Sequence, residues 1–256
     1  MAKKPIILND AGHGGKDPGA CALGRKEKND TLDITLSIGG KLKPYAKVKY
    51  TRTTDVYDSP TEKANMADNC KADFAIFNHR NSSDESAANG YETLAYSNDG
   101  DKKVFADFVN EEMEIIGFRN RGTKIRKDLA VLKKPGMPCV LPEIGFISSK
   151  KDNALFEDRF ELISDAIAIG ALLATDVITG AKGIKKTCAY HKTVVTKKKC
   201  PVRTGRAQSK KAFATLPKGR EIKVWYIIKN RAGNMWGSVI VNGRVGFIYM
   251  DNCKPA

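Results

Sequence analysis

The chain has 256 residues, a formal net charge of +15 and six cysteines, and 41% of its residues are hydrophobic. This length suits one domain of ordinary size together with a small one, with enough apolar residues for a packed core. No apolar run approaches the roughly 20 residues needed to span a bilayer, and the amino-terminal stretch lacks the apolar segment of a signal peptide. The sequence therefore argues against a membrane-spanning protein and against export by a signal peptide of its own.

Strand and helix patterns alternate through the first 180 residues. Strand patterns fall at residues 6–9, 48–51, 74–78, 91–95 and 140–143. Helical patterns fall at residues 31–42, 61–70, 102–116 and 152–178. This alternation predicts an α/β fold with a twisted, mostly parallel sheet flanked by helices.

The composition changes near Gly180. Beyond this point helical periodicity stops, and short runs of Val, Ile and aromatic residues alternate with Gly, Asn and Pro. Such a pattern is typical of short strands joined by turns. We therefore predict a catalytic domain at residues 1–179, a linker at residues 180–187 and a small all-β domain at residues 188–256.

The positive charge is concentrated in the predicted small domain. From residue 181 onward there are 18 basic and two acidic side chains, a net charge of +16, whereas the first 180 residues have a net charge of −1. Such a domain binds polyanions by long-range attraction and counterion release, and both nucleic acid and the teichoic acids of a Gram-positive wall fit this description. A surface that only aids solubility is the alternative. The chain shows no zinc-finger or aromatic RNA-binding signature, which argues against nucleic acid.

Two of the three histidines stand near carboxylates in segments that follow predicted strands. His13 lies in a Gly-rich loop after the first strand, and His79 follows the strand at residues 74–78. Glu27 lies between these histidines, and Glu143 ends the strand at residues 140–143. Zinc hydrolases hold the metal with residues of these types, leave one position open for water, and use a further carboxylate to move protons. Open α/β sheets bind ligands at the carboxyl edge of the strands, so these residues predict a site for metal-assisted hydrolysis there.

The residues of these segments, and the order of the segments along the chain, resemble the zinc-dependent N-acetylmuramoyl-L-alanine amidases of the amidase 3 type. The resemblance covers about residues 4–178. It implies that His13, Glu27 and His79 bind Zn²⁺, and that Glu143, in a Glu-x-Gly-Phe-Ile-Ser segment, is the catalytic carboxylate. The activity it implies is hydrolysis of the amide between N-acetylmuramic acid and L-alanine in peptidoglycan.

The same resemblance suggests where such an enzyme works. A wall hydrolase without an export signal indicates a bacteriophage endolysin, made in the host cytoplasm and released to the wall through a separate membrane pore. The chain departs from the family pattern at Asn78, Arg80 and Pro142, which bears on the shape of the substrate cleft. A zinc peptidase that cuts within the stem peptide and a non-catalytic wall-binding protein are the alternatives. The second of these would need no metal ligands.

From about residue 199 the sequence resembles a bacterial SH3-like wall-binding domain, on segments at residues 201–205, 216–224, 235–239 and 242–248. The last of these segments begins with an Asn-Gly pair, a favoured hairpin turn. The resemblance implies peptidoglycan as a partner. Trp236 and Phe247 are candidates for a peptide-binding shelf, and core packing is the alternative for both.

Residues outside these segments carry weaker signals. Glu92 is a candidate to support a metal ligand by a hydrogen bond, with a structural or surface role as the alternative. His191 stands in a Lys-rich stretch and is predicted to be structural or solvent-facing. No Cys-x-x-Cys pair occurs, so the cysteines are predicted to be mostly free, buried thiols. A disulfide between Cys188 and Cys253 is the alternative.

Overall fold

The computed structural model of the protein describes residues 4–175, 188–229, 232, 234–241 and 244–256. The chain divides into two compact units, Met1–Val177 and Ile178–Ala256. The predicted linker at residues 180–187 and the predicted Asn-Gly turn at residues 242–243 lie outside the described residues. Within the described ranges, no helix combines the length and the apolar character needed to cross a membrane.

The first unit is an α/β structure built on a six-stranded sheet. The strands of this sheet are β1 Ile6–Ala11, β4 Lys47–Tyr50, β5 Phe74–Asn81, β6 Tyr91–Ala95, β7 Asn120–Ile125 and β8 Cys139–Phe146. A separate hairpin is formed by β2 Cys21–Ala22 and β3 Arg25–Lys26. The helices are α1 Glu27–Leu42, α2 Pro60–Asn69, α3 Gly100–Ile116, α4 Ala130–Lys133, α5 Lys150–Asp158 and α6 Phe160–Ala174.

The sheet is mostly parallel, as predicted, with the strand order β4-β1-β5-β8-β6-β7. Strand β1 is parallel to β4 and β5, and β5 is parallel to β8. Strand β6 runs antiparallel to β8, and β7 is parallel to β6. A parallel crossover needs about a dozen or more residues, usually a helix. The connection at residues 82–90 contains no helix, which fits the reversed direction of β6.

The five predicted strands and the first three predicted helices are present, but four features differ. In its described part, which ends at residue 175, the predicted helix at residues 152–178 is two helices, because Arg159 leaves helical geometry at φ −117° and ψ 16° between α5 and α6. Strand β7, the β2–β3 hairpin and the four-residue helix α4 were not predicted. Strand β7 has the sequence NRGTKI, which lacks the alternation that marks a half-buried strand. The hairpin strands have two residues each, too few to show a pattern.

Asn78, one of the departures from the family pattern, joins three elements in the interior below the site. Its side-chain amide donates to Asn9 Oδ1 at 2.9 Å and to the Asp10 carbonyl at 2.8 Å, both in β1, and to Thr35 Oγ1 of α1 at 2.9 Å. Asn78 has no solvent exposure. Buried polar groups need such partners, so this residue has a structural role rather than a place in a cleft.

The second unit is all-β in its described residues, and its strands pair antiparallel throughout. They are β9 Cys188–Thr196, β10 Cys200–Arg203, β11 Ala212–Leu216, β12 Glu221–Lys229, β13 Met235–Val241, β14 Arg244–Tyr249 and β15 Cys253–Pro255, with a 3-10 helix at Met250–Asn252. Their order in the sheet is β11-β10-β14-β13-β12-β9-β15. Val194, Val202, Val224, Val239 and Ile248 belong to the apolar core of this unit.

Both aromatic residues singled out in the second unit are buried. Trp236 is 1% exposed and Phe247 is 5% exposed. The indole ring of Trp236 lies 5.4 Å from the ring of Tyr249. This burial favours core packing, the alternative considered for both residues.

The strand register of the second unit also bears on the cysteines. Cys253 pairs with Thr196 at the last position of β9, whereas Cys188 is the first residue of that strand. The two cysteines therefore lie at opposite ends of β9, which argues against a disulfide between them. Cys200 and Cys253 are both buried, free thiols.

Candidate metal centre

Three of the predicted site residues converge at the carboxyl edge of the parallel strands. One ligand atom from each of His13, Glu27 and His79 lies within 4.8 Å of the other two. His13 Nε2 is 3.1 Å from Glu27 Oε2, and His79 Nδ1 is 2.9 Å from Glu27 Oε1. The two imidazole rings are 4.9 Å apart and nearly perpendicular. The carboxylate thus lies between two imidazoles, an arrangement suited to hold one metal ion.

His13 is presented by a tight loop that follows β1. Its backbone has φ 60°, a left-handed conformation that is uncommon for residues other than Gly. Its Nδ1 atom lies 2.8 Å from Asp17 Oδ2. Because a carboxylate only accepts hydrogen bonds, this contact puts a proton on Nδ1 and directs Nε2 toward Glu27 and the candidate metal position. Asp17 was not predicted as a site residue, although an acidic residue four positions after a proposed ligand could have suggested it.

Gly12 allows His13 and His79 to come together. A Cβ atom at this position would lie 2.7 Å from the Asn78 carbonyl oxygen and 2.6 Å from His79 Cε1. Both separations are too short for any side chain, so only glycine lets the loop after β1 pack against β5 here. The glycine in this motif therefore has a direct steric role in assembling the centre.

Glu27 is the first residue of α1 and is fixed by four contacts. Its Oε2 accepts from the Ala20 backbone N–H at 3.0 Å and its Oε1 from the Arg80 backbone N–H at 2.9 Å, and the other two contacts are those with the imidazoles. Burial opposes its ionisation, but the hydrogen bonds with His13 and His79 outweigh that effect and hold the pKa of Glu27 below its usual range. Glu27 is therefore an ionised carboxylate already positioned between the two imidazoles.

The proposed ligands are coupled electrostatically. Burial disfavours protonation of His13, but the hydrogen bonds and charges of Glu27 and Asp17 outweigh it and raise the pKa of His13 to about 9. The metal-free centre therefore holds a proton near neutral pH. Metal ligands must be deprotonated, so an incoming cation has to displace it.

Glu143 lies beside this centre on the adjacent strand β8. It is the register partner of His79, and its Oε2 atom is buried without a hydrogen-bond partner among the described residues. Burial raises the pKa of the Glu143 carboxyl to about 7, and the charges of Glu27 and Glu92 act in the same direction. A carboxyl group with a pKa near neutrality is suited to accept and release protons in a reaction.

Glu92 stands on β6 directly opposite Glu143. Its Oε1 accepts from Asn81 Nδ2 at 3.0 Å and its Oε2 from Arg121 Nε at 2.7 Å. In the described part of the chain its hydrogen bonds thus go to these two residues and not to a proposed metal ligand. Its charge is one of the smaller influences that raise the pKa of the Glu143 carboxyl.

Arg80, which departs from the family pattern, lies in the interior rather than in a cleft. The Arg80 side chain is fully buried; its Nη1 donates to Asp30 Oδ2 at 2.5 Å and its Nη2 to Asn153 Oδ1 at 2.7 Å. The guanidinium lies 4.2 Å from the centre of the Phe156 ring. Burial lowers the pKa of Arg80 to about 10. Arg80 therefore ties β5 to α1 and α5 beneath the site, and its backbone N–H holds Glu27.

Pro142, the third departure, is also buried, and it pairs with Thr93 in the sheet. None of the three departures therefore alters an exposed surface of the first unit. The candidate centre keeps its ligand residues, and the substitutions change what packs around them.

The fold and the site define a class of protein: an α/β unit with two histidines and one glutamate that could hold a metal, and a further carboxylate on the neighbouring strand. The family model for N-acetylmuramoyl-L-alanine amidase, Amidase_3, matches residues 7–172. The chain belongs to this family.

Similar proteins come from phages and bacteria. The endolysin of Bacillus phage SPP1 is 37% identical over 165 residues, which is 59% of this chain and 58% of that protein. The sporulation-specific N-acetylmuramoyl-L-alanine amidase of Bacillus subtilis is 35% identical over 151 residues, which is 57% of this chain and 58% of that protein. The chain thus spans a little over half the length of these relatives.

Solved structures of amidases share the fold of the first unit. The catalytic domain of CwlV, an N-acetylmuramoyl-L-alanine amidase from Paenibacillus polymyxa, is 33% identical with a TM-score of 0.63, over 68% of this chain and 99% of that chain. An N-acetylmuramoyl-L-alanine amidase from Clostridium difficile is 27% identical with a TM-score of 0.63, over 70% of this chain and 99% of that chain. The similarity therefore covers nearly all of each of these solved chains.

Proposed function

We propose that the protein is a zinc-dependent hydrolase that cleaves the amide between N-acetylmuramic acid and L-alanine in peptidoglycan. The observation that carries this proposal is the convergence of His13, Glu27 and His79, with Glu143 as the register partner of His79. All four residues fall within the range matched by the family.

Two imidazoles and one carboxylate form a donor set that suits zinc and leaves a coordination position open. The orphaned Glu143 Oε2 atom also fits a site that a reactant completes. When bound, zinc supplies Lewis acidity to the scissile carbonyl and activates water near neutral pH. Asp17 and the backbone N–H of Arg80 hold His13 and Glu27 in their binding orientations.

The proton transfers are assigned to Glu143. Its carboxylate takes the proton of the attacking water and delivers it to the nitrogen of L-alanine, so that the amine leaves in a neutral form. A pKa near neutrality lets one carboxyl group perform both transfers. Burial keeps that pKa high, with smaller contributions from the charges of Glu27 and Glu92. Arg121 and Asn81 fix the position of Glu92.

For the second unit we propose an SH3-like wall-binding role, with peptidoglycan and the anionic polymers of a Gram-positive wall as partners. The net charge of +16 after residue 180 supports it. The burial of Trp236 makes charge, rather than this indole, the principal support. The 37% identity to a phage endolysin supports a phage origin, with release from the host cytoplasm to the wall.

Digestion of purified cell walls tests the proposed reaction. New amino groups should belong to L-alanine, while the number of reducing sugar ends stays constant. New amino termini inside the stem peptide would indicate the peptidase alternative, and no release at all would indicate a non-catalytic binder. Chelation should abolish the activity and zinc should restore it, and His191→Ala should behave as the wild-type protein does.

A further inference from the structure

One buried guanidinium holds the loop that follows β1. Arg52 is 3% exposed and lies just after β4. Its Nε donates to the Ala11 carbonyl at 3.1 Å, and its Nη2 donates to the Gly12 carbonyl at 2.9 Å. The same Nη2 donates to the Lys28 carbonyl at 2.7 Å, in the first turn of α1. Arg52 therefore connects two segments that carry proposed metal ligands.

The loop depends on side chains for its shape. His13, Gly14 and Gly15 have φ values of 60°, 133° and 55°. A non-glycine residue persists in such a conformation only when its surroundings impose it. The Gly12 carbonyl lies immediately before this run. It accepts a hydrogen bond from Arg52 Nη2 and another from Thr31 Oγ1 at 2.7 Å. The backbone that presents His13 is thus set by donors from distant parts of the chain.

A guanidinium performs this task in a way that an ammonium cannot. Its donors have a rigid planar arrangement, so the Ala11, Gly12 and Lys28 carbonyls are held at fixed relative positions. Lys63 offers a comparison: its Nζ reaches the Ala11 carbonyl at 2.6 Å and Asp10 Oδ1 at 3.0 Å, both on the β1 side. In the described hydrogen bonds, only Arg52 of these two cations also reaches α1.

We propose that Arg52 is a positioning residue of the metal centre, which fixes the distance between His13 and Glu27 before a metal binds. The inference rests on the proposed zinc site. In this scheme Arg52 touches neither the metal nor the substrate. Replacing its guanidinium leaves the proposed metal ligands present but less well aligned, so metal affinity falls while the chain stays folded.

The test compares Arg52→Lys with Arg126→Lys in the full chain. Arg126 is an exposed arginine that also makes a two-pronged contact, with Asp128, and it serves as the matched control. Zinc affinity is measured by competition with a chromophoric chelator, and coordination geometry by the visible absorption of the Co²⁺-loaded protein. Thermal unfolding of the metal-free proteins reports fold stability separately.

We expect Arg52→Lys to raise the zinc dissociation constant about 10- to 100-fold, as loss of groups that orient metal ligands commonly does. Its Co²⁺ spectrum should change, whereas Arg126→Lys should match the wild-type protein in both measurements. A wild-type zinc affinity and Co²⁺ spectrum in Arg52→Lys would overturn the inference and leave the proposed function intact. Failure of the wild-type protein to bind zinc would overturn the metal centre and the inference together.

Thr31→Val provides a second test of the proposed positioning of the metal centre if Arg52→Lys does not fold. This change removes one hydroxyl that donates to the Gly12 carbonyl and retains the shape of the side chain. A weaker zinc affinity in a folded Thr31→Val protein would support control of the centre through this carbonyl. An unchanged affinity would overturn the inference.

Discussion

Replacing Glu143 by Gln should remove hydrolysis while leaving the metal centre intact. The substitution keeps the size and shape of the side chain and removes only its ability to accept a proton. Glu143 is not among the three residues whose ligand atoms converge, and its Oε2 atom has no hydrogen-bond partner among the described residues. In the described residues, Glu143 Oε2 therefore makes no hydrogen bond to the three proposed ligands.

The size of the loss follows from its role. Loss of a general base commonly lowers a rate by about 10² to 10⁴. At 1.36 kcal/mol per tenfold change, this corresponds to roughly 2.7 to 5.4 kcal/mol of lost transition-state stabilisation. Stability should change little or increase, because the variant no longer has to keep a carboxylate in a buried position.

Glu92→Gln is the matched control, since Glu92 is the register partner of Glu143 on β6 and undergoes the same chemical change. Zinc content, unfolding midpoint and wall-hydrolysis rate are measured on the same preparation of each variant. The rate loss in Glu143→Gln should exceed that in Glu92→Gln, and both proteins should retain zinc. A folded, zinc-loaded Glu143→Gln protein with a near-normal rate would refute the assignment of Glu143 as the proton carrier.

Four further predictions concern the metal and the domain boundary. His13→Ala, Glu27→Ala and His79→Ala should each lose zinc, as measured by metal analysis after gel filtration, and retention of zinc by any of them would remove that residue from the ligand set. Asp17→Asn should weaken zinc binding about 10- to 100-fold in a chelator competition, because the His13 ring loses its anionic partner. Zinc affinity should fall about tenfold for each unit by which the pH is lowered and for each proton displaced, because the pKa of metal-free His13 is raised to about 9 and a lower pH favours its protonated form. A pH-independent affinity would contradict this prediction. Truncation after Gly180 removes 18 basic side chains and should spare cleavage of a small muramoyl peptide while slowing lysis of intact cells, and equal lysis would end the anchor proposal.

The second unit shows which structural features the composition alone could predict. The change near Gly180 and the runs of Val and Ile predicted a small, basic, all-β region, and the described strands are all antiparallel β. Whether an aromatic residue such as Trp236 faces solvent or the interior depends on which strands cover it, and the same pattern fits both outcomes. Only the tertiary structure showed that Trp236 is 1% exposed.

The sequence by itself determined the segments that matter in the first unit. Short segments pointed to His13, Glu27, His79 and Glu143 as candidate site residues, through their residue types and their resemblance to the amidase family. Sequence patterns located five of the six strands of the sheet, and burial on both faces accounts for the continuous apolar runs among them. The break between α5 and α6 at Arg159 was not predicted from the sequence, because apolar periodicity continues on both sides of it.

Only the tertiary structure decided how those residues are held. Glu143 faces His79 across 64 positions of sequence through strand register, and Arg52 reaches the Ala11 carbonyl from 41 positions away. Nothing in the residues around Arg52 indicates that its donors will meet carbonyls of another loop. Periodicity and motifs are local, whereas hydrogen bonds and burial join segments whose proximity exists only once the chain has folded.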